Sequence, residues 1–409
     1  MVCYGTAFGS VSWLESHCEA SLGDWCAKWP SQWRLLPNRP GWSAMTINVT
    51  KSFLPPLRDY VAYLEKIWAT AWVTNHGPLV KELEQRLTET LSVPYLQYVT
   101  NGTTALQLAL KVLGVRGEVI TTPYSYVATT TAIMWEKCQP VFVDIHPQTL
   151  CIDPDLIEHS ITERTEAILA THVYGYPCDV ERIAEIAARH GLKVIYDAAH
   201  AFGVRVNGDS ILNHGDLSTL SFHATKLFHT VEGGAVVSND PAIHEALGLL
   251  KSFGHRGDLY LSEGINGKNS ELHAAMGLCN LAHIPDILAA RKRIFAWYDE
   301  LLLGLPLVIP QKRPDVEYNY AYYAVIFDTP ALRERAQSVL ESEGIAARRY
   351  FWPSLTRLPY VNAPSCEVAE AVAERVLCLP LHSEIPHATV QRIAGLVRTA
   401  CSMGAARIR

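Results

Sequence analysis

The sequence predicts an α/β protein: a mainly parallel central sheet covered by helices on both faces, followed by a smaller C-terminal α/β unit. Three observations carry this prediction. Short apolar runs bounded by turn residues, among them Tyr95–Val99, Glu118–Thr121 and Lys193–Asp197, read as buried strands. Stretches with helical spacing alternate with them, as parallel strands require for their crossovers. Past Pro285 the texture changes to long helical patterns around a single strand pattern, which marks a second unit of ordinary domain size.

The elements follow in order. Residues 57–72 place Tyr60, Leu64, Ile67 and Trp68 at helical spacing, and Val73-Thr74-Asn75-His76-Gly77-Pro78 ends the helix with turn chemistry. Residues 80–91 form an amphipathic helix. Strands at 95–99, 118–121, 140–144, 167–172, 193–197, 217–222 and 234–237 alternate with helices at 103–113, 127–135 and 180–190, and a further helix covers 272–281. In the second unit the pattern predicts helices at 287–303, 331–343 and 368–376 and a strand at 322–328. The expected division is therefore a large domain over 45–284 and a small one over 285–409.

Residues 1–44 stand apart. They hold Trp13, Trp25, Trp29, Trp33 and Trp42, half of the ten tryptophans, with little periodicity and no signal-peptide pattern. Two readings compete: an appendage that packs or binds a partner, or an upstream extension with the natural start at Met45. The second is favoured, and both predict poor order.

The bulk properties exclude several classes of function. A net charge of −6 gives no reason to expect nucleic acid. No apolar run approaches the roughly 18 residues of a membrane span. Ten cysteines without a C-x-x-C pair or a Cys/His metal spacing read as reduced core thiols of a cytoplasmic protein, with no metal site.

The chemistry lies where strands end. Asp197 closes one strand, in Tyr196-Asp197-Ala198-Ala199-His200. Lys226 follows the next, in Ser221-Phe222-His223-Ala224-Thr225-Lys226. Ligands bind at such carboxyl ends. An amine there can form an imine with an aldehyde cofactor, and a carboxylate can hold a pyridinium proton. The plain alternative is a solvated lysine and a capping aspartate. In Val99-Thr100-Asn101-Gly102-Thr103-Thr104 a strand runs into a helix, whose free N–H groups suit a phosphate, although simple capping by Asn101 or Thr103 explains the same residues. Tyr126 follows another strand and can stack on a flat heterocycle, or merely cover the sheet edge. Ser221 is a second phosphate candidate, His200 can hydrogen-bond a ring oxygen, and Glu232-Gly233-Gly234 reads as a tight turn. Gly264-Ile265-Asn266-Gly267-Lys268-Asn269-Ser270 reads as a flexible polar loop, suited to an anion or simply to solvent.

Taken together in chain order, these segments resemble the sugar aminotransferases of the DegT/DnrJ/StrS family from about residue 46 to the end. The most specific pieces are Asp197-Ala198-Ala199-His200-Ala201-Phe202-Gly203, Ser221–Lys226 with Glu232-Gly233-Gly234, Gly264–Lys268, and Arg348-Arg349-Tyr350-Phe351-Trp352-Pro353. The resemblance implies the type I fold of pyridoxal 5′-phosphate (PLP) enzymes. Lys226 matches the lysine that holds the cofactor as an imine, and Asp197 the partner of the pyridine nitrogen. His200 takes the position beside the ring oxygen, which is Gln in many members, and Tyr126 matches the stacking aromatic. Gly102, Thr103, Thr104 and Ser221 match phosphate contacts. Asn266 matches a phosphate ligand given by a neighbouring subunit, which implies a homodimer with shared sites.

Two departures stand out. Lys268 replaces the arginine of an Asn-x-Arg common in that loop and loses its bidentate fork. Lys226 is retained where dehydratase relatives carry His, which favours transamination. The opening Phe53-Leu54-Pro55-Pro56-Leu57 adds resemblance to members that aminate dTDP-4-keto-6-deoxy-D-glucose at C4 with glutamate as donor. The alternatives are a C3-aminating or a UDP- or GDP-keto-sugar enzyme, a PLP-dependent dehydratase, and a non-enzymatic PLP-binding regulator.

Overall fold

The computed structural model describes residues 47–405. The expectations for residues 1–44 fall outside them.

The central sheet has seven strands: β1 (Tyr95–Val99), β2 (Glu118–Thr121), β3 (Gln139–Phe142), β4 (Thr165–Thr171), β5 (Lys193–Asp197), β6 (Leu217–Ser221) and β7 (Gly234–Ser238), in the spatial order β1-β7-β6-β5-β4-β2-β3. β7 runs antiparallel to both of its neighbours, and every other pairing is parallel. Period-two alternation sorts the side chains onto two faces. Ala167, Leu169 and Ile195 enter one core, whereas Ile168, Ala170, Val194 and Tyr196 enter the other.

Helices cover both faces: α1 (Leu57–Thr70), α2 (Pro78–Leu91), α3 (Gly102–Val112), α4 (Val127–Trp135), α5 (Val180–His190), α6 (Pro241–Leu250) and α7 (Glu271–Leu281). Their ends follow local chemistry. Asn101 and Asp179 cap α3 and α5, accepting from the Thr104 and Arg182 amides, and Gly191 closes α5 in the left-handed region. α2 begins with Pro78, and the buried Glu271 carboxylate at the start of α7 accepts from the Leu79 and Val80 amides at 2.7 and 3.0 Å. A charge at a helix start is thus stabilised by two amides that have no partner within their helix.

The rest of the chain forms α8 (Ile284–Leu301), β8 (Leu307–Val308), β9 (Tyr323–Phe327), α9 (Pro330–Ser342), α10 (Glu367–Arg375), β10 (Val376–Leu379) and α11 (His387–Ala405). The strands make a sheet in the order β8-β9-β10, packed with α8, α9 and α11 around a core of its own. The first turns of α8 (Ile284, Ile287) pack with the large sheet, and its later residues (Ile294, Phe295, Tyr298) with the small one. Ile47–Asn48 pairs with Ile345–Ala346, so the start of the described chain lies alongside its C-terminal part.

Several of these elements differ from the sequence reading. It lacks α6, α11 and the short β8, although Asp240 caps α6 and Pro241 opens it. Val376 begins a strand rather than ending a helix, because the apolar run Val376–Leu379 pairs with β9. No helix among the described residues is long and apolar enough to cross a membrane.

One buried ion pair fixes the end of β1. Glu84 accepts from the Lys251 amine at 2.9 Å, the Tyr98 amide at 2.8 Å and the His76 ring at 2.7 Å, and Lys251 also donates to the Tyr98 carbonyl at 2.9 Å. Burial alone would push the Glu84 carboxyl up. Lys251, His76 and the Tyr98 amide more than offset this and hold it at about 2, against 4.5 ordinarily. A depressed folded-state value gives stability that is present above pH 4.5 and is lost as pH falls towards 2, a term of about 3 kcal/mol. The difference in unfolding free energy between the wild type and Glu84→Gln should therefore be largest above pH 4.5 and shrink steadily below it. Thermal or urea unfolding across that range measures it, and a difference that does not change with pH contradicts the pairing.

Candidate active site

The carboxyl ends of β1, β2, β5 and β6 converge on one cavity of about 920 Å³. Gly102, Thr103, Thr104, Tyr126, Asp197, His200, Ser221 and Lys226 all line it, gathered from segments more than 120 residues apart.

Asp197 is the last residue of β5, in register with Thr171 of β4 and Thr219 of β6. Its side chain is buried. Oδ1 accepts from the Ala199 amide at 3.1 Å and Oδ2 from the Thr129 hydroxyl at 2.7 Å. Burial pushes its carboxyl above the usual range, while the two hydrogen bonds and the charge of Lys226 pull it back. Among the described residues no cation forms an ion pair with it.

Lys226 lies in the turn after β6, its amide donating to the His223 carbonyl at 2.9 Å, and its side chain is half-buried. Ser52 holds this turn by donating to the Ala224 carbonyl at 2.7 Å. Burial lowers the Lys226 amine from 10.5 to about 8, with Asp197 opposing the shift. Near neutral pH a usable fraction is therefore the free amine, which is the form that acts as a nucleophile or base.

The start of α3 is shaped as a cradle. Asn101 takes the Thr104 amide at 2.8 Å, so the capping reading is correct for that residue. The Gly102 and Thr103 amides at the cavity wall have no acceptor within the helix. Ser221 closes the other side. A Cβ on Gly102 would stand 2.9 Å from the Ser221 Cβ, and one on Gly234 would stand 2.5 Å from the Asn101 carbonyl carbon. These glycines are required by close approach. The Gly233-Gly234 pair does not take the left-handed conformation that a tight-turn reading suggests.

His200 is buried. Its Nδ1 accepts from the Tyr174 amide at 3.2 Å. Burial, aided by Lys226, holds its ionisation well below the usual range, so the ring is neutral and its proton sits on Nε2. Phe351 lies parallel to it at 5.7 Å and Tyr322 meets it edge-on at 4.9 Å. Tyr126 precedes the first turn of α4 and is 59% exposed, with a ring face free to cover a flat ligand.

Asn266 is the exception. It is exposed and does not line this cavity. Nor is its loop free, as the sequence reading had it. Ile265 and Gly267 donate to the Leu250 and Lys251 carbonyls at 2.8 and 2.9 Å, and Gly267 accepts from the Thr100 amide at 3.0 Å. These backbone bonds fasten the loop behind the cradle. Lys268 lies over the Phe253 ring at 4.5 Å.

Several residues in or beside the cavity carry no role in the sequence reading. Thr129 lies beside the wall, three residues beyond Tyr126, and bonds Asp197. Ser125 and Thr171 line the cavity next to it. Asn269 ties the loop to β1 by donating to the Tyr98 hydroxyl at 3.0 Å and to the Glu232 carbonyl at 2.9 Å. Only the pairing of distant segments reveals Thr171 and Asn269.

An amine and an acid without an ion-pair partner thus share one rim with the start of α3. The chain belongs to the DegT/DnrJ/EryC1/StrS aminotransferase family, whose model matches residues 58–398. It is thus an aminotransferase of that family. It is 45% identical over 360 residues to a dTDP-4-amino-4,6-dideoxy-D-glucose transaminase of Shigella dysenteriae, covering 86% of this chain and 98% of that protein. It is 41% identical over 363 residues to the Escherichia coli protein of the same name, covering 86% and 98%. Among solved structures, DesI in the presence of its TDP-sugar product superposes with a TM-score of 0.84 at 34% identity, covering 89% of this chain and 95% of that one.

Proposed function

We propose that this protein uses PLP to transfer an amino group from glutamate to C4 of dTDP-4-keto-6-deoxy-D-glucose, giving dTDP-4-amino-4,6-dideoxy-D-glucose. The observation that carries this reading is the convergence of Lys226 and Asp197 on one cavity, in a chain so similar to transaminases of that name.

The residues fit the cofactor. A buried carboxylate with no cation beside it is costly unless something brings positive charge. A protonated pyridine nitrogen does so. The free amides of Gly102 and Thr103, with the α3 dipole behind them and the hydroxyls of Thr104 and Ser221 alongside, suit a phosphate. Tyr126 covers one face of a ring, and His200 Nε2–H suits a ring oxygen. Bound there, PLP supplies an electron sink for the pair released when a C–H bond next to nitrogen breaks.

The chain's own groups do the rest. The Lys226 amine is the carbonyl-reactive group. Once displaced by the amino donor, it is the base that takes the donor's Cα proton, and later the acid that delivers a proton to the sugar carbon becoming the amine carbon. Asp197 holds a positive charge at the ring nitrogen throughout. The walls of aromatic side chains, Phe351 and Tyr322 among them, limit water near the reacting atoms.

The same reading makes the active unit a homodimer, with Asn266 reaching the partner's cofactor phosphate. Its exposure away from this chain's own cavity supports this, as do the exposed apolar residues Leu57, Val61 and Trp68 on α1 with Trp72, Val73 and Leu272 nearby in sequence or fold. Seven described cysteines, all free, support a cytoplasmic location.

Incubating the protein with PLP, glutamate and a panel of dTDP-, UDP- and GDP-linked 4-keto and 3-keto sugars tests the reaction. The expected result is 2-oxoglutarate together with a C4-amino sugar from the dTDP substrate. Amination of only another acceptor refutes the substrate assignment, and dehydration or no transfer refutes the reaction. Subunit exchange tests the shared sites. Lys226→Ala and Asn266→Asp should each be inactive alone, while their mixture should recover about a quarter of wild-type activity, since random pairing makes half the dimers mixed and each has one intact site. No recovery despite proven exchange contradicts the shared site.

A further inference from the structure

The hydroxyls behind Asp197 form a chain whose direction can be derived. Thr129 Oγ1 donates to Asp197 Oδ2 at 2.7 Å, Ser125 Oγ lies 2.7 Å from Thr129 Oγ1, and Thr171 Oγ1 donates to Ser125 Oγ at 3.1 Å. Each hydroxyl has one proton to give. Thr129 gives its proton to the carboxylate, so Ser125 must donate to Thr129, and Thr171 in turn to Ser125. All three side chains are almost wholly buried, at 2% exposure or less. The chain spans two strands and a helix: Ser125 and Thr129 come from the β2–α4 segment, and Thr171 ends β4 directly opposite Asp197.

We propose that Thr129, backed by Ser125 and Thr171, is a positioning residue that keeps the Asp197 carboxylate ionised and turned so that it can hold the protonated ring nitrogen of the cofactor. The inference rests on the reading of Asp197 as the ring-nitrogen partner. Three aligned O–H dipoles place positive charge at Oδ2. The Ala199 amide fixes Oδ1, so the carboxylate plane cannot rotate away from the cavity. A hydrogen bond to a charged group is among the stronger single contacts in a protein, and a chain of donors strengthens its last link. A neutral Asp197 would still be able to accept from Thr129, but more weakly than the carboxylate does, so the donation favours the ionised form.

The test measures binding of pyridoxamine 5′-phosphate, which cannot form an imine with Lys226, together with the ¹⁵N shift of its labelled ring nitrogen in the holoenzyme. Thr129→Val keeps the shape and removes the donor. It should weaken binding by about tenfold or more, as expected for losing a hydrogen bond to a charge, and move the shift towards that of neutral pyridine. Thr129→Ser should restore both readouts, and Ser125→Ala should move both in the same direction by less. Folded Thr129→Val with unchanged affinity and shift overturns the proposal. So does Thr129→Ser behaving like Thr129→Val. If Thr129→Val does not fold, Ser125→Ala decides: unchanged readouts overturn the proposal, and shifted ones support it. Failure of the wild type to bind pyridoxamine 5′-phosphate sinks the underlying reading of the site instead.

Discussion

A carboxylate buried at the carboxyl edge of a parallel sheet is the constraint around which this structure is arranged. Asp197 has little solvent and no cation of its own, and burying such a charge costs several kcal/mol unless dipoles and a counter-charge meet it. The fold supplies the dipoles from three directions: the Ala199 amide from its own turn, the Thr129 hydroxyl from the neighbouring helix, and Thr171 through Ser125 from the next strand. It also brings the Lys226 amine within electrostatic reach, and each group moves the other towards its charged form. The one charge left for a ligand to bring is a cation at the carboxylate.

The sheet topology makes this arrangement possible. Because β4, β5 and β6 run in parallel, Thr171, Asp197 and Ser221 arrive at the same rim. β7 runs the other way and brings Gly234 against Asn101, so the start of α3 and Ser221 come close enough to share one anion. The loop that carries Asn266 is bonded to the backbone of residues 250–253 and to Thr100, and so moves with the cradle rather than independently of it. The Glu84–Lys251 pair fixes the same corner from behind.

Much of this was legible in the sequence because the informative residues lie next to strand ends. The runs Tyr95–Val99, Glu118–Thr121 and Lys193–Asp197 begin and end where apolar residues meet turn residues, and the structure places the strands there. Asp197, Lys226, Tyr126, Ser221 and Gly102 each follow such a run, so their arrival at a common rim could be inferred without coordinates. Contacts set by register could not. Nothing local to Thr171 indicates that it stands opposite Asp197, and nothing local to Asn269 points to Tyr98. Val376–Leu379 was missed for the same reason, since four apolar residues become a strand only through their pairing with Tyr323–Phe327. α6 is a different case, because its Asp240-Pro241 start is a local helix signal that the sequence itself carries. The Gly233-Gly234 pair suggests a turn from sequence, because crowding by a distant backbone leaves no local trace.

Lys226 is the amine proposed to react with the cofactor's carbonyl. Borohydride reduction of the protein loaded with PLP, followed by peptide mapping, tests this most directly, because reduction makes the imine permanent at whichever lysine formed it. The expected result is a single pyridoxyl label on Lys226, absent from Lys226→Ala. A label on Lys251, Lys268 or any other lysine, or none at all, would contradict it.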